Sequence, residues 1–504
     1  MKGPTMQSVV FGIDVGTSST KAVLATLDGT VVGSATREHE VSRPRQGHVE
    51  MDPAVWWDEL RALAAELLQA HPDVAVQAVG VSGMGPCVAL ADAAGHPVRP
   101  AILYGVDTRA TAEIEEWTTR LGGDDAVLQR GGSVLTTQAA GPKIAWVARH
   151  EPEAYARASR LFMPASFLAW NLTGAYVLDH QSASQCTPMY DIEAGDWYEP
   201  WAAQIAEGIE LPRLGWAGDT AGTVTAEAAA ATGLPEGVPV TIGTIDAWSE
   251  ALSVDAHNPG DLMLMYGTTM FFVNTVETPV RSPSLWGTAG ALPGTRSIAG
   301  GMATSGAVTN WLRSLYGSPD FSELLSEAVD SGAGARGLLM LPYFAGERTP
   351  IMDPSARGVI AGLTVSHTRG DLYRAALEAT GLAVRHNIES IEAAGGDIRR
   401  VVAVGGGTRG DVWTQIVCDI SGREQVIPRE TIGASYGVAW LAANLVTTIS
   451  AAEWNPPARV LTPRPENVEG YQELFGLYRE LYEATAPIAH ALAARQLAAD
   501  DGPR

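Results

Sequence analysis

Gly12-Ile13-Asp14-Val15-Gly16-Thr17-Ser18-Ser19-Thr20-Lys21 runs out of the apolar stretch Val9-Val10-Phe11 and into Ala22-Val23-Leu24. Far downstream, Met263-Leu264-Met265-Tyr266-Gly267-Thr268-Thr269 leads into Met270-Phe271-Phe272-Val273. Each stretch reads as an apolar strand, a Gly-Thr-Ser/Thr turn and a returning strand. A turn of that kind is small and rich in backbone N–H and hydroxyl donors, which is what a polyphosphate needs. One such turn in each half of the chain predicts two similar lobes acting on one nucleotide.

Working outward, Asp28-Gly29 is a hairpin signal leading to a third strand over 31–38. Asp52-Pro53 opens a helix, with Asp at the cap, Pro in the first turn and Val55, Leu60, Leu63, Leu67 and Leu68 as its apolar positions. Val74 to Val81 reads as a buried strand. Strand and helix alternate in this way through both halves, so the expected class is α/β with mixed sheets. Turn residues cluster between 233 and 262, which places the division at residue 254 and gives segments 1–254 and 255–504. The segment from Tyr471 to Leu497 reads as one long Ala-rich helix.

The 504 residues carry 34 Lys and Arg against 57 Asp and Glu, a net charge of −23. Such a surface repels nucleic acid and anionic membrane, so the expected partners are small molecules and an anionic ligand needs local donors. No apolar run approaches a membrane span. Cys87, Cys186 and Cys418 have no metal-type spacing, and a reducing cytoplasmic location fits them. A homodimer is left open.

The candidate phosphate donors are Gly16, Thr17, Ser18 and Lys21 in the first turn and Gly267, Thr268 and Thr269 in the second. Asp14 ends a strand facing the first turn, where a carboxylate can hold Mg²⁺ against phosphates. Its bland alternative is a turn cap. Gly405-Gly406-Gly407 follows the strand Val401-Val402-Ala403-Val404 and precedes a helix near Asp411, which reads as a flat shelf for a purine or a phosphate. Gly433-Ala434-Ser435-Tyr436-Gly437 reads as a second shelf, with Ser435 as its donor.

Several stretches together resemble the FGGY sugar kinases of the actin-like ATPase superfamily. Besides the two turns they are Leu341-Pro342-Tyr343-Phe344-Ala345-Gly346-Glu347-Arg348-Thr349-Pro350, Gly358-Val359-Ile360-Ala361-Gly362-Leu363, the stretch from Asp371 to Glu378, and Lys143 to His150. The resemblance implies two ribonuclease-H-like lobes around a cleft, with ATP and Mg²⁺ as cofactors and a sugar as acceptor. It also implies that Asp246, after the strand Val240 to Ile245, is the catalytic base and a second metal ligand beside Asp14. A carboxylate there could accept the proton of an attacking hydroxyl and aim it; the alternative is a helix N-cap.

The sugar-binding residues are where this chain departs from the family. Its xylulose-phosphorylating members tend to carry G-Q-M-H-G where this chain has Ser82-Gly83-Met84-Gly85-Pro86. Two glycines in place of Gln and His are expected to enlarge the pocket or to admit a differently substituted ligand. Met84, Tyr104, Asp107, Arg109 and Asp246 are the candidate sugar contacts, against a surface ion pair as the bland reading of Asp107 and Arg109. His180 is expected to be a satisfied loop histidine, and Trp56, Trp57, Trp146 and Trp440 to be core. The expected activity is ATP-dependent phosphorylation of a terminal hydroxyl of a xylulose-like ketopentose. Other ketoses, deoxy-ketoses, polyols and aldonates are alternatives, as are a non-catalytic sugar sensor and an actin-like ATPase.

Overall fold

A computed structural model describes residues 6–500, with side chains described through Gln496. The chain forms two compact units that interleave along the sequence. The first runs to Pro259 and also takes in Thr275–Ser297 and Glu430–Pro456; the second comprises Gly260–Asn274, Ile298–Arg429 and the chain described from Pro457 onward.

In the first unit the strands run in the order Val31–Glu38, Ser19–Thr26, Gln7–Val15, Val74–Gly83, Pro239–Thr241, Thr220–Thr223. Gln7–Val15 is antiparallel to Ser19–Thr26 and parallel to Val74–Gly83. Alternation along Gln7–Val15 separates its two faces. Val9, Phe11, Ile13 and Val15 join a core with Trp56, Leu60 and Leu63 of helix Pro53–Ala70 and Phe167 and Leu168 of helix Pro164–Thr173. The opposite face carries Gly12 and its register partner Gly80. A Cβ on Gly12 would lie 2.1 Å from the Ser435 carbonyl, and one on Gly80 2.0 Å from the Val438 carbonyl. Helix Ala434–Asn444 therefore lies directly on the strands, and Gly437 lets it meet helix Asp246–Ser253, where a Cβ would be 1.9 Å from the Ser249 carbonyl.

The second unit repeats the plan. Its strands run Arg296–Met302, Met270–Val276, Asp261–Tyr266, Arg400–Val404, Gln425–Pro428, Pro457–Leu461. Asp261–Tyr266 is antiparallel to Met270–Val276 and parallel to Arg400–Val404, as the first hairpin is to its neighbours. Helices Arg369–Ala393 and Asp411–Ser421 pack on one another, and Pro465–Asp500 is a single long helix, beginning earlier than the sequence suggests. Among the described residues, no helix is long and apolar enough to cross a membrane.

Trp56 and Trp440 are core, at 0% and 8% exposure. Trp57 and Trp146 are only half-buried. Trp146 holds the Arg109 guanidinium over its face at 4.9 Å and stacks on His150 at 4.8 Å. His180 is a partnered loop histidine, 3.1 Å from the Tyr190 hydroxyl with its ring against Trp216.

Candidate active site

The first turn ends the strand bearing Asp14. Gly16 N–H donates to the Ser19 carbonyl at 3.0 Å, and a Cβ on Gly16 would approach the same oxygen at 3.0 Å. Ser18 and Lys21 are exposed, and Thr17 is half-buried with its hydroxyl 2.9 Å from the Tyr104 hydroxyl. The fold thus joins a candidate phosphate donor to a candidate sugar contact. Lys143, which the sequence assigned no role, lies at 1% exposure and donates to the carbonyls of Leu103 and Tyr104 at 2.7 and 2.8 Å. Burial pushes its ammonium down to about 8.

Two carboxylates meet this turn. Asp246 is the first residue of helix Asp246–Ser253, which follows the short strand Thr244–Ile245. Among the described residues its only hydrogen bond is from its neighbour Ala247 N–H, at 2.7 Å, and the helix start has no side-chain cap. The N-cap alternative is therefore not realised, and the carboxylate is available. Burial raises its pKa to about 6. Asp14 rises to about 8, through burial and then the Asp246 charge, with Glu250 adding and Ser82 and Lys21 opposing. Asp14 Oδ1 is buried without a hydrogen-bond partner. Glu250 lies one helical turn beyond Asp246 and is itself raised to about 7 by burial. The sequence reading passed over Glu250, although its i,i+4 spacing from Asp246 was visible.

These carboxylates suit Mg²⁺, which typically takes one or two carboxylates and completes its shell with water and phosphate oxygens. Among the described residues no group of three or more His, Cys, Asp or Glu is arranged to hold a metal ion. The unpartnered Asp14 oxygen, electrostatically coupled to Asp246, is the feature that fits such an ion.

The structure corrects three expectations here. For Asp107 and Arg109, read as sugar contacts with a surface ion pair as the alternative, the alternative does not hold, since both side chains are 0% exposed. Arg109 donates to Asp107 through Nε and Nη2 at 3.0 and 2.7 Å and to Glu50 through Nη1 at 2.7 Å, and Val49 N–H also donates to Asp107. Glu50 binds Arg99 in turn. Asp107 has both oxygens occupied within the protein, so it braces the wall rather than offering an acceptor. Second, Gly83 and Gly85 do not enlarge a pocket. A Cβ on Gly83 would meet Pro164 Cβ at 2.6 Å, and one on Gly85 would meet Ile245 Cδ1 at 2.6 Å. Pro164 and Ile245 fill that space, and Met84 is 1% exposed. Third, Ser435 belongs to the first unit, against Gly12, at 1% exposure. The small residues around it permit helix packing, which accounts for them without a purine shelf.

In the second unit, Gly267 N–H donates to the Thr269 carbonyl at 3.1 Å, and the amides of Gly306 and Ser305 donate to the Gly267 and Thr268 carbonyls, each at 3.0 Å. Thr268 and Thr269 are exposed. Gly405 has φ +91° and a Cβ there would meet the Tyr266 carbonyl at 2.5 Å, so the chain must be glycine to turn at that point. A cavity of about 540 Å³ is lined by Gly267, Thr268, Gly406, Gly407, Trp413, Thr309 and Tyr373, among others. It holds residues of both sequence-predicted elements of this unit. Trp413 is fixed by its Nε1–H bond to Thr380 at 2.8 Å. Thr309 and Trp413 were not singled out in the sequence, because nothing local marks them. Glu347 is a brace: it accepts the amides of Ala303 and Arg348 at 2.6 and 2.7 Å.

Residues 9–253 match the N-terminal domain, and residues 262–445 the C-terminal domain, of the FGGY family of carbohydrate kinases. A xylulose kinase of Escherichia coli is 29% identical over 95% of this chain and 99% of its own length. A xylulose kinase structure from Rhodospirillum rubrum superposes with TM-score 0.89 at 34% identity, covering 96% of this chain and all of that one. A Plasmodium falciparum glycerol kinase, at 21% identity and TM-score 0.86, shares the fold. With both domains matched and a relative above 30% identity along nearly its whole length, the chain belongs to the FGGY family of carbohydrate kinases, ATP-using enzymes with the actin-like ATPase fold.

Proposed function

We propose that this enzyme transfers the γ-phosphoryl group of ATP, with Mg²⁺, to a terminal hydroxyl of a xylulose-like ketopentose. The observation that carries the chemistry is the Asp246 carboxylate, uncapped at the start of its helix and electrostatically coupled to Asp14. Asp246 orients the acceptor hydroxyl and takes its proton, while the partly associated, mostly dissociative transition state needs little covalent help. Asp14, with Asp246, would hold the ion, whose chemistry there would be to offset negative charge on the phosphate oxygens. Thr17, Ser18 and Lys21 would bind phosphate in the first unit, and Thr268, Thr269 and the glycines 405–407 in the second. The names of the relatives support the ketopentose.

A second reading of the acceptor rests on a specific observation. Gly83, Met84 and Gly85 offer no side-chain donor, and the space beside the two glycines is filled by Pro164 and by Ile245, the residue before Asp246. A ketose or polyol with fewer hydroxyls at that wall would lose nothing there. Cys87, Cys186 and Cys418 are unpaired and buried, which supports a reducing cytoplasmic setting. A coupled ADP-release assay over ketopentoses, deoxy-ketoses, tetritols and aldonates tests the proposal. Xylulose among the best acceptors supports the first reading, a deoxy-ketose or tetritol the second, and no turnover with any acceptor rejects both.

A further inference from the structure

The two phosphate-type turns solve one mechanical problem by different means. For a turn's amides to face an anion, its carbonyls must be held the other way. In the second turn the backbone does this: Gly306 N–H holds the Gly267 carbonyl at 3.0 Å, and the amides of Ser305 and Ala307 hold Thr268. In the first turn the Gly16 carbonyl faces the His39 ring, with Nε2 at 3.0 Å, while His39 N–H donates to the Ser18 carbonyl at 3.0 Å. One residue therefore pins two carbonyls of the turn. The ring is in turn held through Nδ1 by the Glu59 carboxylate of helix Pro53–Ala70, at 2.9 and 3.2 Å. Both side chains are largely buried, at 7% and 13% exposure.

The partners also constrain the protons. A peptide carbonyl can only accept, so Nε2 must carry hydrogen. The Glu59 carboxylate faces Nδ1 with both oxygens, and one proton must lie between them for that contact to be a bond.

We propose that His39, oriented by Glu59, is a positioning residue for nucleotide binding: it clamps the Gly16 carbonyl and so keeps the amide of Thr17, which shares that peptide plane, turned toward the phosphates of ATP. The proposal rests on the kinase reading of the first turn. The clamp acts on the backbone of the turn, so its signature is a change in nucleotide affinity that exceeds any change passed to the sugar side through the Thr17–Tyr104 hydroxyl contact.

The test compares wild type with His39→Ala, His39→Gln and Glu59→Ala. Steady-state kinetics gives KM for ATP and for the sugar separately, and calorimetry gives MgADP affinity. His39→Ala should raise KM for ATP about tenfold, the order expected for one hydrogen bond that holds a binding group. KM for the sugar should stay within twofold. His39→Gln, which returns an amide donor near Nε2, should recover most of the loss, and Glu59→Ala should show a smaller loss of the same kind. An unchanged KM for ATP, or parallel rises in both KM values without rescue by Gln, overturns the proposal. If His39→Ala does not fold, Glu59→Ala and the imidazole ¹⁵N shifts of the wild type decide: a bare Nε2 overturns it. Should wild type phosphorylate no sugar, the kinase reading fails separately. MgADP affinity then tests the clamp, and wild type that binds no nucleotide sinks it too.

Discussion

The turns at Gly16 and Gly267 share a sequence pattern, a hairpin and a place in equivalent sheets, yet their surroundings differ in charge. The residue two before the first turn's glycine is Asp14, whose Oδ1 is buried and unpartnered; before the second it is Met265. Around the first turn stand Asp14, Asp246, Glu250 and Lys21. Around the second stand Thr309, Tyr373, Trp413, glycines and the cation Arg409, lining a mainly apolar cavity of about 540 Å³ without a carboxylate among its lining residues. One plan, used twice, gives one turn surrounded by carboxylates and another beside a mainly apolar cavity, and on the proposed function the first would serve proton and metal chemistry and the second the nucleotide. The difference lies in side chains that the common backbone presents, so substitutions in one region should leave the other's parameter alone.

The largest expected effect is Asp246→Asn. An amide of the same shape cannot take the acceptor's proton, so kcat should fall about a hundredfold or more. MgADP affinity, measured by calorimetry, should hold. Near-normal kcat would break the division of labour. Asp14→Ala should raise the Mg²⁺ concentration for half-maximal rate about tenfold or more, as expected if one of two carboxylates holds the ion. Full activity of wild type in EDTA would remove the metal from the scheme.

In the second region, Gly405→Ala places a Cβ against the Tyr266 carbonyl at a φ of +91°. KM for ATP should rise about tenfold, while KM for the sugar should not move. Equal rises in both would show that the two regions are not separable.

The carboxylate cluster has a pH signature. Asp246 must be ionised to act as a base, so kcat/KM should fall as pH drops through its raised pKa of about 6. Glu250 contributes to the raised pKa of Asp14. Glu250→Gln should therefore lower the pKa of Asp14, read by NMR titration of the ligand-free protein. An unshifted Asp14 would detach Glu250 from the site. The stability consequence has the opposite sign to an ordinary ion pair. The folded state keeps on Asp14 a proton that the unfolded chain releases, between its ordinary 3.8 and about 8. Stability of the ligand-free protein therefore declines as pH rises across that window, and Asp14→Asn should flatten the decline in thermal melts.

The smallest effect concerns the acceptor. Gly85→His alone should impair the enzyme, because Ile245 occupies the space. Paired with Ile245→Ala it should shift the kcat/KM ratio of xylulose over a deoxy-ketose by about tenfold, the order of one hydrogen bond to a substrate hydroxyl. No shift in the double variant would show that this wall does not choose the sugar.

Local features were legible without coordinates. Both hairpins, the glycine shelf at 405–407 and the placement of Asp14 and Asp246 at strand ends follow from short-range rules: period-two apolar runs, turn chemistry and breaks at glycine. So did the family, because its marks are contiguous motifs. What needed the tertiary structure were facts set by residues far apart in the chain. Asp107 and Arg109 read as sugar contacts, or else as a surface pair, until Val49, Glu50 and Trp146 close over them. Gly83 and Gly85 look like vacated positions until Pro164 and Ile245 fill the space. Ser435 looks like part of a nucleotide shelf until its helix is found against Gly12. The sequence by itself determined which chemistry the chain carries, since side-chain type and local spacing are written in it. The fold decided which of those groups remain available to a ligand, because burial and occupied hydrogen bonds depend on neighbours that only long-range packing supplies.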